Sequence, residues 1–164
     1  MGIFPTKILL ASDSSDTAAH AMNLAVELSE QTGSQLHLVY VGEDAYSSAA
    51  LISPEAADLE GVAREDPVLI EQLQQQSDQM ARRVLDTEVQ KVREAGGTVA
   101  QAHLRMGKAD IEIVELAKEI DAGLLILGSR GSGMIKRALI GSVSDSVVRH
   151  AHCPVTVVRQ DKDE

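Results

Sequence analysis

Five short apolar segments alternate with four stretches of helical periodicity, and this alternation constrains the fold more than any other feature of the chain. The segment 6-TKILLAS-12 is an apolar run closed by polar residues and reads as a buried strand. Residues 15–32 follow with Ala18, Ala21, Met22, Ala25 and Leu28 on one helical face; Ser14 or Ser15 can cap the start, and Gly33 can end it. A second strand, 35-QLHLVYV-41, precedes a loop over 42–67. The next helix runs over 68–95, with Leu73, Met80, Ala81, Val84, Leu85, Val92 and Ala95 as its inner stripe and Gly96 and Gly97 as its stop. A third strand, 98-TVAQAHL-104, leads to a helix over 108–121, patterned by Ile111, Val114, Ala117 and Ile120. The most apolar strand is 123-GLLILG-128. A stretch rich in glycine and serine, 128–142, opens a short helix carrying Val143, Val147 and Ala151, and Pro154 introduces a last strand, 155-VTVVR-159.

The resulting order, β-α-β-α-β-α-β-α-β with strands apolar on both faces, implies an open five-stranded parallel sheet with helices on both faces, formed as a single domain over 1–164. Right-handed crossovers then put ligands at the carboxyl ends of the strands, where the strand order reverses. Those ends are Ser12–Asp13, Val41–Gly42, Arg105–Gly107 and Gly128–Ser129.

Composition closes off several functions. The 164 residues carry a net charge of −10, against the clustered bases a general nucleic-acid binder needs. Only Phe4, Tyr40 and Tyr46 are aromatic, so the chain has no platform for stacking bases. The lone Cys153 fits a reducing compartment, and a cytoplasmic location is expected. Apolar stretches such as 124-LLIL-127 are far shorter than a membrane span, and no signal peptide is read at the start. The opening 1-MGIFPT-6 meets the permissive myristoylation pattern, but a core strand begins directly after it, so no lipid anchor is expected. Residues 42–67 hold seven acids against Arg64 and read as a variable, solvated loop; 160–164 reads as a polar tail.

The segment 128-GSRGSGMIKRALIGSVSDS-146 carries the chemistry. Gly128 ends a strand, Gly131 and Gly133 follow, and Gly141-Ser142 opens a helix. Glycines let the backbone approach a ligand, and a helix start offers unpaired N–H groups and a positive dipole end. Together these suit a phosphate. Hydroxyls of Ser129, Ser132, Ser142 and Ser144 add donors or reach a phosphate-bound Mg²⁺. Between 128 and 150, four bases (Arg130, Lys136, Arg137, Arg149) face the single acid Asp145, a basic island suited to an anion. The plainer alternative is a glycine-rich turn with ordinary surface bases. Neither the Walker nor the dinucleotide fingerprint is met, because Ala109 follows Gly107-Lys108 and Lys136 stands where a third glycine belongs. A phosphoacceptor aspartate is missing from the end of the third strand, which carries Arg105 and Met106.

These residues resemble the universal stress protein family, in its ATP-binding branch. That branch carries G-x2-G-x9-G-[ST], matched here by Gly128, Gly131, Gly141 and Ser142. The segments 11-ASDSSDTA-18, 36-LHLVYV-41 and 150-HAHCPVTVVR-159 extend the likeness over nearly the whole chain apart from 42–67 and the tail. The resemblance implies a Rossmann-like, adenine nucleotide alpha hydrolase-like fold that binds ATP, or AMP or ADP, with Mg²⁺ held through the phosphates. It carries Asp13 and Val41 onto adenine and ribose, Gly128 and Gly131 onto the sugar and phosphate cradle, and Gly141, Ser142 and Val143 onto the phosphates. It also implies a homodimer paired through the last strand, Val155 to Arg159, and a stress-response role. One departure stands out: the family often has glycine and serine after the first aspartate, where this chain has Ser14-Ser15.

Physical chemistry supports part of this. Asp13 repels phosphate but can accept from ribose hydroxyls or the adenine amine. Met106 and Gly107 are expected to complete an apolar pocket for the base, and Ser129, Arg130 and Ser144 to join the phosphate contacts. His150, His152 and Cys153 form an H-x-H-C cluster without an evident fourth ligand and are read as a helix exit, and His20, His37 and His103 as isolated side chains. Arg130 and Lys136 can supply charge to a γ-phosphate and Asp145 can hold a metal or a water, yet no residue is compelled into the role of base. The expectation is a nucleotide-dependent dimeric switch with little or no turnover. The alternatives are a slow ATPase or autophosphorylating enzyme, and a structural dimer that works without nucleotide.

Overall fold

The computed structural model describes residues 4–44, 67–129 and 140–160. The strands are β1 (Lys7–Ala11), β2 (Gln35–Gly42), β3 (Val99–Met106), β4 (Leu124–Gly128) and β5 (Val155–Val158). The helices are α1 (Asp16–Thr32), α2 (Pro67–Glu94), α3 (Ala109–Glu119) and α4 (Ser142–His150). Most of the expected loop 42–67, and the tail beyond Gln160, lie outside the described residues.

All neighbouring strands pair in parallel, in the order β3-β2-β1-β4-β5. The chain steps outward from β1 through β2 to β3, then returns to the other side for β4 and β5. The order therefore reverses between β1 and β4, where Ala11 pairs with Leu127. The alternating sides of each strand feed two separate cores. Ile8, Leu10, Leu36, Leu38 and Ile126 pack with Met22 and Val26 of α1 and Leu85 and Val92 of α2. Leu9, Val39, Leu125 and Leu127 pack on the opposite face with Ile113 and Leu116 of α3 and Val147 of α4. No helix among the described residues is long and apolar enough to cross a membrane.

Local chemistry sets the ends of α1. The Ser15 side chain accepts a hydrogen bond from the Ala18 amide at 3.2 Å, and Gly33 leaves the helix at φ 68°. The inner face of α2 differs from its expected stripe. Ala81, Leu85, Glu88 and Val92 are buried, whereas Met80 is 68% exposed and Ala95 is also exposed. Those four buried positions follow the three- and four-residue spacing of a single helical row, and Met80 lies one residue, about 100°, off it. Ile111 is likewise on the outside of α3, which buries Ile113, Val114, Leu116 and Ala117 instead. β3 runs two residues beyond the expected Leu104, and as an edge strand it leaves Ala100, Gln101 and Ala102 exposed.

His37 and His103, expected to be isolated, are brought together. Both lie on neighbouring strands, and their rings stack 5.3 Å apart with Nδ1 of His37 3.0 Å from Nε2 of His103. One ring must donate and the other accept, so the contact requires at least one neutral imidazole. Burial pushes the pKa of His37 down, aided by Lys7; burial also lowers that of His103, with His37 and Arg105 acting in the same sense and Glu119 opposing. Below the ordinary histidine value near 6.5 the unfolded chain therefore binds more protons than the folded one, and stability falls as the pH falls. We expect His103→Gln to flatten the decline in unfolding free energy between pH 7 and about 5, as read by urea titration at each pH. An equally steep decline in parent and variant would show that the pair does not carry this dependence.

Gly128 is required by packing. A Cβ there would lie 2.5 Å from Thr17 Oγ1, 2.8 Å from the Thr17 carbonyl carbon and 2.9 Å from the Ala18 amide nitrogen. Since the start of α1 cannot yield as a flexible side chain would, Gly128→Ala should lower unfolding free energy by roughly 1–3 kcal/mol with an unchanged denaturant slope.

Candidate nucleotide site

A cleft of about 820 Å³ opens at the carboxyl ends of β1, β2 and β4. α2 walls one side through Ser77, Met80, Ala81 and Val84, while the starts of α3 and α4 face it from the other layer. Asp13, Val41, Gly107, Gly128, Gly141, Ser142, Val143 and Ser144 all line it. Residues separated by more than a hundred positions in sequence thus meet in one cavity because parallel strands end on the same side of the sheet.

The first turn is tightly organised. Oδ1 of Asp13 accepts from the Ser15 amide at 3.0 Å, and Ser14 adopts φ 66°, a conformation that favours glycine. Beneath the turn lies Glu88 of α2, only 2% exposed. Its carboxylate accepts from Ser12 Oγ at 2.7 Å, Ser14 Oγ at 2.9 Å and Lys91 Nζ at 2.8 Å. Burial by itself would push this carboxyl up, but the bonds from Lys91, Ser12 and Ser14 outweigh it and hold the pKa below the ordinary glutamate value. Tyr40, half-buried at the cleft wall, is shifted upward by burial and then by Glu43, Asp13 and Glu88. The end of the cleft formed by β1 and β2 is therefore acidic, with Asp13, Glu43 and Asp44 all lining it.

Met106 does not take its expected place in the pocket wall. Its sulfur and methyl sit over Gly42, where an added Cβ would meet Met106 Sδ at 2.8 Å and Ala81 Cβ at 2.9 Å. Met106 thus supports the end of β2 and is not among the described lining residues; Met80 and Val84 supply apolar wall instead. Gly107 does line the cleft, with φ 134° and its amide bonded to the Gly42 carbonyl at 3.0 Å.

The three helix starts around the cleft differ chemically. α1 is capped by Ser15 and has Asp16 in its first turn. α3 follows Lys108 without a side-chain cap and carries Asp110 and Glu112 in its first turn. α4 follows Gly141, also without a side-chain cap, and opens with Ser142, Val143 and Ser144. The Asp145 amide bonds to the Gly141 carbonyl at 2.9 Å, and the amides of Ser142 and Val143 before it precede the first intrahelical bond and can meet an anion. The acid of this turn, Asp145, pairs along the helix with Arg149 at 3.1 Å.

Ser144 and Ser129 hold this start in place. The Ser144 hydroxyl donates to the carbonyls of Ser129 at 2.9 Å and Gly141 at 3.2 Å, and the Ser129 amide donates to Val158 at 2.8 Å. Ser129 is 2% exposed and is absent from the described lining. Both serines therefore help to hold the start of α4 against the end of β4, and Ser144 also lines the cleft. Ser142 and Val143 are exposed at the cleft. Arg130 and Gly131, with Ser132, Gly133, Lys136 and Arg137, lie outside the described residues.

Sequence reasoning passed over Tyr40, Lys108 and Glu88. For Glu88 a signal existed: it is a charged residue in register with the apolar row Ala81, Leu85 and Val92, which calls for a buried partner.

Comparison with known proteins agrees with this arrangement. The family model for the universal stress protein family matches residues 5–159. Universal stress protein YxiE of Bacillus subtilis is 29% identical over 153 residues, covering 93% of this chain and 98% of its own. A universal stress protein of Methanocaldococcus jannaschii is 30% identical over 159 residues, covering 96% and 84%. Among solved structures, universal stress protein UspA from Lactobacillus plantarum superposes with a TM-score of 0.71 at 29% identity, covering 95% of this chain and 99% of its own. More distant structures share the fold: a universal stress protein in complex with cAMP (TM-score 0.56, 22% identity, covering 95% and 98%) and one from Archaeoglobus fulgidus in complex with dAMP (0.53, 19%, covering 96% and 99%). With its strand order, its cleft at the point of reversal and a family match spanning both, the chain belongs to the universal stress protein family.

Proposed function

We propose that this protein binds an adenine nucleotide in the cleft and acts as a nucleotide-dependent regulatory protein of the stress response. ATP is the favoured form, with Mg²⁺ held through its phosphates; AMP and ADP are the alternatives. The observation that carries the reading is the uncapped start of α4, which opens into the cleft beside the reversal of strand order. This start suits phosphate best, because it is uncapped and its first-turn acid, Asp145, is paired with Arg149, whereas α1 is capped by Ser15 and α3 carries two first-turn acids, Asp110 and Glu112. The acidic end at Asp13 is suited to ribose hydroxyls and the adenine amine, and Val41 presents main-chain groups and apolar cover to the base. The cleft falls within the roughly 300–1,000 Å³ usual for small-molecule sites. The cAMP and dAMP complexes of proteins with the same fold agree with this reading.

Within this reading Arg130 and Gly131 join the phosphate contacts, and nucleotide binding changes a surface that partner proteins meet. Turnover is slow or absent in this reading, since Asp145 is engaged by Arg149 and Asp110, which also lines the cleft, is held by Ser146. The protein works in the cytoplasm as a homodimer. β5 ends the sheet among the described residues and offers the outer edge of 155–159 to a second copy.

The test is thermal unfolding of nucleotide-stripped protein with and without excess Mg-ATP. Ligand at 100 times its Kd stabilises by about 2.7 kcal/mol, equivalent to a rise of roughly 5–11 °C for a domain of this size. A smaller rise is expected with Mg-GTP. Gly141→Val should abolish the ATP response in a protein that still folds, because its branched side chain fills the space where backbone approaches phosphate. No rise at millimolar ATP would refute the proposal.

A further inference from the structure

We infer that Glu88 is a positioning residue for the nucleotide site: it clasps the turn 12–15 from below and so fixes where Asp13 presents its carboxylate. The inference rests on the nucleotide reading above and extends it to a residue outside the cleft lining. Glu88 is almost wholly buried, and its two carboxylate oxygens are shared between the two hydroxyls that flank Asp13. Oε2 takes Ser12, at the end of β1, and Oε1 takes Ser14 together with Lys91. The Ser14 amide also points to Ser12 Oγ at 3.4 Å, which closes the clasp on itself.

The need for a clasp follows from the backbone. Ser14 stands at φ 66°, a left-handed conformation that strains a residue carrying a Cβ. A turn of this shape relaxes unless the surrounding structure holds it. Two charge-assisted hydrogen bonds to a buried carboxylate supply that hold, and they are stronger than neutral ones. A hydrophobic residue at 88 would pack as well against the core row of α2 but would leave Ser12, itself 6% exposed, without its acceptor. Lys91, at the surface end of the carboxylate, balances the charge. Since α2 also walls the cleft, its docking onto the sheet and the geometry of Asp13 become one coupled event.

The experiment is a double-mutant cycle on Mg-ATP affinity by calorimetry, with thermal unfolding of each variant as the check on folding. Glu88→Gln keeps the shape and removes the charge; we expect affinity to fall roughly tenfold. Asp13→Ala should weaken binding in the parent but much less in the Glu88→Gln background, because the carboxylate is already displaced. Ser14→Gly should restore several-fold of the affinity lost in Glu88→Gln, since glycine takes positive φ without a clasp. A second comparison does not touch position 88: Ser14→Ala and Ser14→Gly lose the same hydroxyl, yet alanine should bind ATP more weakly than glycine. A merely structural role for Glu88 would lower the melting temperature without coupling to Asp13 and without rescue by glycine. Unchanged affinity in Glu88→Gln, additive effects with Asp13→Ala, or equal affinities for the two Ser14 variants would each overturn the assignment while leaving the nucleotide reading intact. Failure of the parent protein to bind Mg-ATP would refute that reading and this assignment with it.

Discussion

The burial of β1 from Ile8 onward is the constraint on which the rest of the molecule depends. Ile8, Leu9 and Leu10 have no exposed surface, and both edges of the strand are paired. A strand covered above, below and on either side can only be central, and the connections must leave it in both directions. That requirement produces the reversal between β1 and β4, and the reversal leaves a cleft where the connecting segments part. Stability and the site therefore share one cause: the strand that buries most completely is also the strand whose end, Ser12–Asp13, opens the cleft.

Charge then divides the cleft. Its floor at β1 and β2 gathers Asp13, Glu43 and Asp44, which repel phosphate and accept from hydroxyl and amine groups. Its other end is the start of α4, which has no side-chain cap and whose first-turn acid, Asp145, is paired with Arg149. The start of α3 resembles that of α4 in lacking a cap but differs by Asp110 and Glu112, and Asp110 is itself tied to Ser146 of α4 at 2.8 Å. The two ends of the cleft thus offer different electrostatic surroundings to whatever it holds.

Glu88 adds a principle that the lining residues do not display. A buried carboxylate is a poor investment for stability taken alone, since desolvation opposes its charge. Here three donors satisfy it, two of them hydroxyls on the turn that bears Asp13. The positive φ at Ser14, a conformation that favours glycine, is the backbone counterpart of that arrangement. The departure noted in the sequence and the buried charge on α2 are two sides of the same contact.

The sequence by itself determined the element order, the parallel sheet, the end of α1 at Gly33 with its start narrowed to Ser14 or Ser15, and the glycine motif, because each rests on local periodicity, capping or spacing. It determined neither which side of α2 faces inward nor which residues form the cleft wall. Met80 and Ala81 differ by one position, and only the rotation of the helix on the sheet decides which is buried. Met106 shared the strand end with Gly107, yet the missing side chain at Gly42 drew it over that strand instead of into the cavity. The contacts of His37 with His103 and of Glu88 with Ser12 join residues 66 and 76 positions apart. No local pattern encodes such pairs, since they arise from strand register and helix docking, which are settled by the packing of the whole chain.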